Sequence, residues 1–328
     1  MAALTPWDVL EAYEAMRPVL PSARFGHTTT CLPDLSSLTG RYDLFLFDAF
    51  GVLNVGETVI PTAPDRLNAL RAAGKAVLMV SNGASFPAPM LLEKYRQMGL
   101  GMTASTLVSS REVMARWPHA QPGVQQTLSS AATASCDATP TAVSPEVLRD
   151  GFTLGVMALE GVGLDDMPWP CRRLEDEAAT YSEVDGFVLL GAGEWTPRRQ
   201  ALLVQALTVR PRPVWVANPD LVAPREHGFS VEPGSYAHAL QRDLNCPVHY
   251  LGKPHRPIFE LTLERAGYSG PADRVLMVGD TLHTDILGGK AMGFDTALVV
   301  GPGASHGLDL DAAIALTGIR PDYVVPAI

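Results

Sequence analysis

The feature that most constrains this chain is a set of seven short apolar runs, each ending abruptly in a polar residue with Gly, Asn or Pro. They are YDLFLFDAFG (42–51), KAVLMVSNG (75–83), VDGFVLLGAG (184–193), PVWVANPD (213–220), PVHYLGKP (247–254), RVLMVGDT (274–281) and TALVVGPG (296–303). Runs of this length without polar alternation suit strands buried on both faces, as in parallel sheets covered by helices. Between them lie helix-like segments at 63–74, 87–100, 197–209 and 256–267 and a further one after Thr281. Strand alternating with helix predicts an α/β fold, a doubly wound and mostly parallel sheet.

Functional groups in such folds sit at the carboxyl ends of the strands. That rule selects Asp48, Ser81 with Asn82, Lys253, and Asp280 with Asp285. A carboxylate ending a buried strand suits a nucleophile or a metal ligand, and equally a turn cap. Asp280 and Asp285 read as metal ligands or as an N-cap pair, and SNG on its own is an ordinary turn signal.

The order LFLFDAFGVLNVG, VLMVSNGAS, LGKPHRPIF, VLMVGDTLHTDI resembles, motif for motif, the haloacid dehalogenase (HAD) superfamily of aspartate-nucleophile hydrolases. The 172 residues from Ser81 to Lys253 hold a domain-sized insertion. With VANPD (216–220) and GDTLHTDILGG (279–289), the chain looks like the class IIA, NagD-like phosphatase branch. The resemblance spans about residues 42–304. It implies a HAD-like core at 41–112 and 241–328, an inserted α/β cap at 113–240, and an N-terminal extension at 1–40. The segment 121–143, rich in Ser, Thr, Ala and Gln, reads as a flexible insertion.

The resemblance also assigns roles. Asp48 would attack phosphorus and form an aspartyl-phosphate. Mg²⁺ would be held by Asp48, the backbone carbonyl of Phe50, Asp280 and, through its water shell, Asp285. Ser81 and the amides of Asn82 and Gly83 would bind phosphoryl oxygens, Lys253 would offset their charge, and Gly51 would let the backbone turn beneath them. Asn218 and Asp220 would face the substrate from the cap, although an Asx-turn before Pro219 explains them equally well. The substrate would be a small phosphorylated metabolite such as a sugar phosphate, and the branch implies a homodimer through the cap.

One residue departs from the pattern. Two positions after the nucleophile these phosphatases carry a second Asp that serves as general acid, whereas here it is Phe50, and a phenyl ring transfers no proton. His255 and His283 lie near enough in sequence to be considered as substitutes. The departure leaves two alternatives: a catalytically impaired phosphate-ligand binding or regulatory protein, and a dehalogenase-type hydrolase, for which two retained metal-site aspartates would serve no purpose.

Composition narrows the partners. A formal charge of -10, from 25 basic and 35 acidic side chains, repels nucleic-acid backbones and anionic membranes. The four cysteines show no C-x-x-C spacing, and no apolar stretch approaches the roughly 20 residues of a membrane span. Together with an acidic N-terminus, this reads as a soluble, cytoplasmic protein with neither nucleic-acid nor membrane partners.

Overall fold

The computed structural model describes residues 4–116, 152–167, 169–244 and 246–328, so the 121–143 stretch lies outside the described residues. Sixteen strands follow one another among them. The first six are β1 (Thr30–Cys31), β2 (Leu44–Phe47), β3 (Asn54–Val55), β4 (Thr58–Val59), β5 (Ala76–Ser81) and β6 (Leu107–Ser109). Then come β7 (Leu154–Met157), β8 (Cys171–Arg173), β9 (Gly186–Leu189), β10 (Val214–Val216), β11 (Val222–Arg225), β12 (Gly228–Val231) and β13 (Val248–Tyr250). The last are β14 (Val275–Gly279), β15 (Asp295–Val299) and β16 (Tyr323–Val325).

Seven strands form one parallel sheet in the order β1-β16-β15-β14-β2-β5-β6. Its central strands are apolar throughout because both faces are covered. Phe45, Phe47, Val77, Met79, Leu276 and Val278 enter one hydrophobic cluster, while Leu44, Leu46, Leu78, Val80, Val275 and Met277 enter another. Each such side chain contributes about 1.5–3 kcal/mol when fully buried. The chain leaves β2 toward β5 and β6, then returns on the other side of β2 through β14, β15 and β16. The sheet therefore reverses direction between β2 and β14, the place where parallel α/β sheets open a crevice at their carboxyl ends.

A second parallel sheet has the order β13-β10-β9-β7-β8. The predicted α/β architecture is the one observed, and all seven apolar runs are strands. The sheet memberships depart from the expected boundaries at two points. β13 does not rejoin the first sheet at 241; it pairs with β10 through Val214↔Val248, Trp215↔His249 and Val216↔Tyr250, so the chain returns only after Tyr250. β1, inside the expected extension 1–40, pairs with β16 at the edge of the first sheet. Runs of two or three residues carry too little pattern to specify their partners, which tertiary register decides.

The other part of the extension is the helix Pro6–Ala15, started by a capping box in which Thr5 and Asp8 exchange hydrogen bonds. Its buried Val9, Leu10 and Tyr13, with Met16 and Leu20, join a cluster containing Leu221, Leu240 and Tyr250 from the second sheet's elements and Leu282, Ile286 and Leu298 from the first's. Among the described residues, no helix is long and apolar enough to cross a membrane.

Candidate active site

Three strand ends of the first sheet and two of the second converge. Asp48 follows β2 and is registered by its own N–H donating to Val278 O of β14 at 2.9 Å. Its Oδ1 accepts from the Ala49 N–H at 2.7 Å and from Lys253 Nζ at 2.6 Å. Lys253 Nζ also reaches Asp285 Oδ1 at 2.7 Å. Lys253 and Asp285 are almost completely buried, at 1% and 0% side-chain exposure, so this pairing is shielded from solvent. Lys253 is delivered by the loop after β13, so a second-sheet strand end supplies the cation that faces a first-sheet carboxylate.

Asp280, at the end of β14, accepts from the Ala304 N–H at 2.5 Å through Oδ2 and from the Thr281 hydroxyl at 2.9 Å through Oδ1. Gly51 explains how this fits: its φ is +77°, and a Cβ there would stand 2.0 Å from Asp280 Oδ2. Gly303 meets the same oxygen, where a Cβ would lie 2.1 Å away. Asp285 sits in a single π-helical turn, Leu282–Ile286, in which both Asp285 N–H and Ile286 N–H donate to Thr281 O. The widened turn carries Asp285 inward, where its Oδ2 accepts the Thr281 N–H at 3.2 Å.

Oxygen atoms of Asp48, Asp280 and Asp285 lie within 4.8 Å of one another. One ammonium against three carboxylates leaves the cluster short of positive charge. Burial pushes the Asp48 carboxyl well above its ordinary range, with Asp285 adding to the effect and Lys253 opposing it. Burial likewise raises Asp280, reinforced by Asp48 and Asp285. Burial works against the Lys253 charge, but Asp285, Asp48 and Asp220 more than offset it and raise the ammonium's pKa. A hard divalent cation fits this set: the donors are all oxygens, they converge, and the glycines leave room around them.

Ser81 and Asn82 end β5 beside this cluster. Ser81 Oγ accepts the Gly83 N–H at 3.1 Å, so that amide is engaged within its own turn. Asn82 Oδ1 accepts the Lys253 N–H at 2.7 Å, while its Nδ2 donates to Lys253 O at 3.0 Å and Asp220 Oδ1 at 2.8 Å. Asn218 shapes the turn after β10: its Oδ1 accepts the Asp220 N–H at 3.0 Å and its Nδ2 donates to Glu232 at 3.0 Å. The structure thus brings Asp48, Asn82, Asp220, Lys253, Asp280 and Asp285 together and gives Asn218 a turn-forming contact.

Phe50 is partly buried, with Lys94 Nζ 5.1 Å and Arg225 Cζ 4.9 Å from its ring centroid. Among the described residues, neither histidine makes a hydrogen bond to the cluster, although His283 Nδ1 is buried without a partner. His283 Nε2 is bonded to Glu14 at 2.7 Å with its ring stacked on Tyr13, and His255 stacks on Tyr250 with Nε2 sealed from partners. Sequence reading missed the Ala304 amide, Tyr13, Glu14 and Glu232. Only the first had a visible signal, the GPGAS turn (301–305) ending an apolar run.

A carboxylate cluster with a buried lysine at the switch point of a parallel α/β sheet is the arrangement of a hydrolase site. Residues 45–138 match the family model described as haloacid dehalogenase-like hydrolase, and residues 250–328 match the one described as HAD-hydrolase-like. Human glycerol-3-phosphate phosphatase is 30% identical over 272 residues, covering 80% of each chain. Human chronophin is 31% identical over 304 residues, covering 90% of this chain and 93% of its own. A solved structure titled "possible sugar phosphatase, HAD superfamily" from Cytophaga hutchinsonii superposes with a TM-score of 0.73 at 25% identity, covering 92% and 98% of the two chains. The chain belongs to the haloacid dehalogenase-like hydrolase family.

Proposed function

We propose that this protein is a Mg²⁺-dependent phosphatase of the class IIA, NagD-like branch, hydrolysing a small phosphomonoester through an aspartyl-phosphate on Asp48, with the second sheet as its cap. The observation that carries the reading is Lys253 Nζ held between Asp48 and Asp285, with Asp280 completing a carboxylate triad at the switch point. The triad also disfavours the dehalogenase alternative, because displacing halide from carbon gives three converging carboxylates nothing to do.

Asp48 Oδ1 is occupied by the Ala49 N–H and Lys253 Nζ, which leaves Oδ2 to attack phosphorus. Lys253 offsets the repulsion between that carboxylate and the phosphoryl group, and the Ser81 hydroxyl and the Asn82 amide hold phosphoryl oxygens, the Gly83 N–H being engaged by Ser81 Oγ. Asp48, the Phe50 carbonyl, Asp280 and Asp285 would hold the ion. When bound, Mg²⁺ supplies charge stabilisation for the phosphoryl oxygens. The relatives named for glycerol-3-phosphate place phosphate esters of small polyols first among substrates to assay.

The test is a panel of phosphate esters assayed with and without Mg²⁺ on wild type and Asp48→Asn. Phosphate release that needs the metal and falls at least ~10³-fold in the variant is expected, since the nucleophile is gone. Release that persists in Asp48→Asn would overturn the reading. Saturable ester binding without any turnover would instead favour the binding-protein alternative that Phe50 motivates.

A further inference from the structure

Transfer of a phosphoryl group from an alkyl ester leaves an alkoxide that must acquire a proton, and Phe50, whose ring lies against Lys94 and Arg225, has none to give. His283 is bonded to Glu14, and His255 is stacked away on Tyr250. One ionisable group reaches the cluster from the second sheet by another route: Asp220, in the loop after β10.

Its orientation is fixed by its neighbour. The Lys253 N–H can only donate, so the Asn82 oxygen must face it, and the Asn82 amide nitrogen is turned toward Asp220. Asp220 Oδ1 accepts that donor at 2.8 Å. Among the described residues no donor meets Oδ2, so a proton on this carboxyl belongs there. Asn82 follows Ser81 directly, so one side chain ties Asp220 to both the phosphate turn and the Lys253 backbone. The Leu221 N–H, next along, donates to the Tyr13 hydroxyl at 3.0 Å and holds the loop from behind.

We propose that Asp220 is the proton donor of this enzyme, delivering a proton from Oδ2 to the leaving oxygen in place of the group that Phe50 has displaced. This rests on the phosphatase reading above. As the bond from Asp48 Oδ2 to phosphorus forms and the ester P–O bond breaks, the proton passes to the departing oxygen and an alcohol leaves. The Asp220 carboxylate then takes a proton from the water that attacks phosphorus, the Asp48–phosphorus bond breaks, and orthophosphate is released with both carboxyl groups restored. The charged and titratable groups acting on Asp220 suit it to the first half of this cycle. Burial raises its pKa well above the carboxylate range, Asp48 and Asp285 add to this, Lys253 and the Asn82 hydrogen bond oppose it, and Tyr13 faces the same loop.

The test compares p-nitrophenyl phosphate, whose leaving group needs no proton, with glycerol 3-phosphate, whose leaving group does. Asp220→Asn keeps the acceptor for Asn82 and removes the acid. Its kcat on glycerol 3-phosphate should fall about 10²–10³-fold while that on p-nitrophenyl phosphate changes less than about 10-fold. Equal losses on both esters would make Asp220 a structural residue and overturn the proposal alone. A wild type that hydrolyses neither would overturn the phosphatase reading and this proposal with it. If the variant does not fold, wild type on a series of aryl phosphates decides: a shallow dependence of kcat/KM on leaving-group pKa is expected, and a steep one overturns the assignment.

Discussion

Asp280 shows how one side chain depends on what its neighbours lack. It packs against both Gly51 and Gly303, and a methyl group at either would land about 2 Å from its carboxylate. Gly51→Ala is therefore expected to displace Asp280, lowering phosphate release at least ~10²-fold at a fixed metal concentration. It should also cost about 1–3 kcal/mol, since φ is +77°. Gly74→Ala is the control: φ is +74° there, but nothing lies within 4 Å, so only the backbone cost of about 1 kcal/mol should appear, with activity intact. His255 gives a pH prediction. Burial lowers its pKa to about 4, against about 6.5 in the unfolded chain, so the fold favours the neutral ring. The stability this brings is complete above pH 6.5 and is lost as pH falls from there toward 4. His255→Phe keeps the stack on Tyr250 and takes up no proton. It should flatten that limb of a denaturation series by at most about 3 kcal/mol, less for the residue's partial exposure, and an unchanged limb would discount His255 as the source.

The helix Pro6–Ala15 touches both sheets' loops at once. The Tyr13 hydroxyl accepts the Leu221 N–H beside Asp220, its ring stacks on His283 within the π-helical turn that carries Asp285, and Glu14 holds the far side of that imidazole. Tyr13→Phe leaves a backbone donor without its acceptor at a buried position. It should cost about 1–3 kcal/mol, read as a drop in denaturation midpoint with the slope unchanged. A loss of activity beyond that of an equally destabilised variant elsewhere would show that the loop placing Asp220 has moved. None of this was legible in the sequence, because a ten-residue amphipathic helix says which face is apolar and nothing about where it docks. What was legible were the strands, whose unbroken apolar runs admit one burial, and the clustering of Asp48, Lys253, Asp280 and Asp285, because parallel strands must end on one side. β13 was legible as a strand and not as a member of the second sheet. Its carboxyl end still delivers Lys253 beside Asp48 and Asp285, so the convergence of these residues does not depend on which sheet β13 joins.

At the scale of the whole molecule, the two sheets meet at the buried site, where Lys253 faces Asp48 and Asp220 meets Asn82, and in an apolar cluster shared by Leu46, Val80, Val188 and Trp215, and beside these through two further contacts of unlike strength. On one side, the N-terminal helix and its apolar cluster join elements of both sheets, a contact that burial makes strong and salt leaves untouched. On the other, the hairpin β3–β4 meets the hairpin β11–β12 through polar groups. The Glu226 carboxylate accepts the Glu57 N–H at 2.7 Å, the Gly56 N–H donates to Pro224 O at 3.3 Å, and Phe50 lies between Lys94 of the first body and Arg225 of the second. Exposed polar contacts of this kind are weak and screened by salt. If the two sheets move apart during turnover, they should part at the hairpins while the helix and the shared apolar cluster stay joined. Amide exchange should be fast and salt-sensitive at 54–59 and 222–231 and slow at 9–13. Glu226→Ala should speed exchange at both hairpins together while leaving the helix protected. Faster exchange at the helix in that variant, or at one hairpin alone, would show that the two contacts are not the separate joints their chemistry describes.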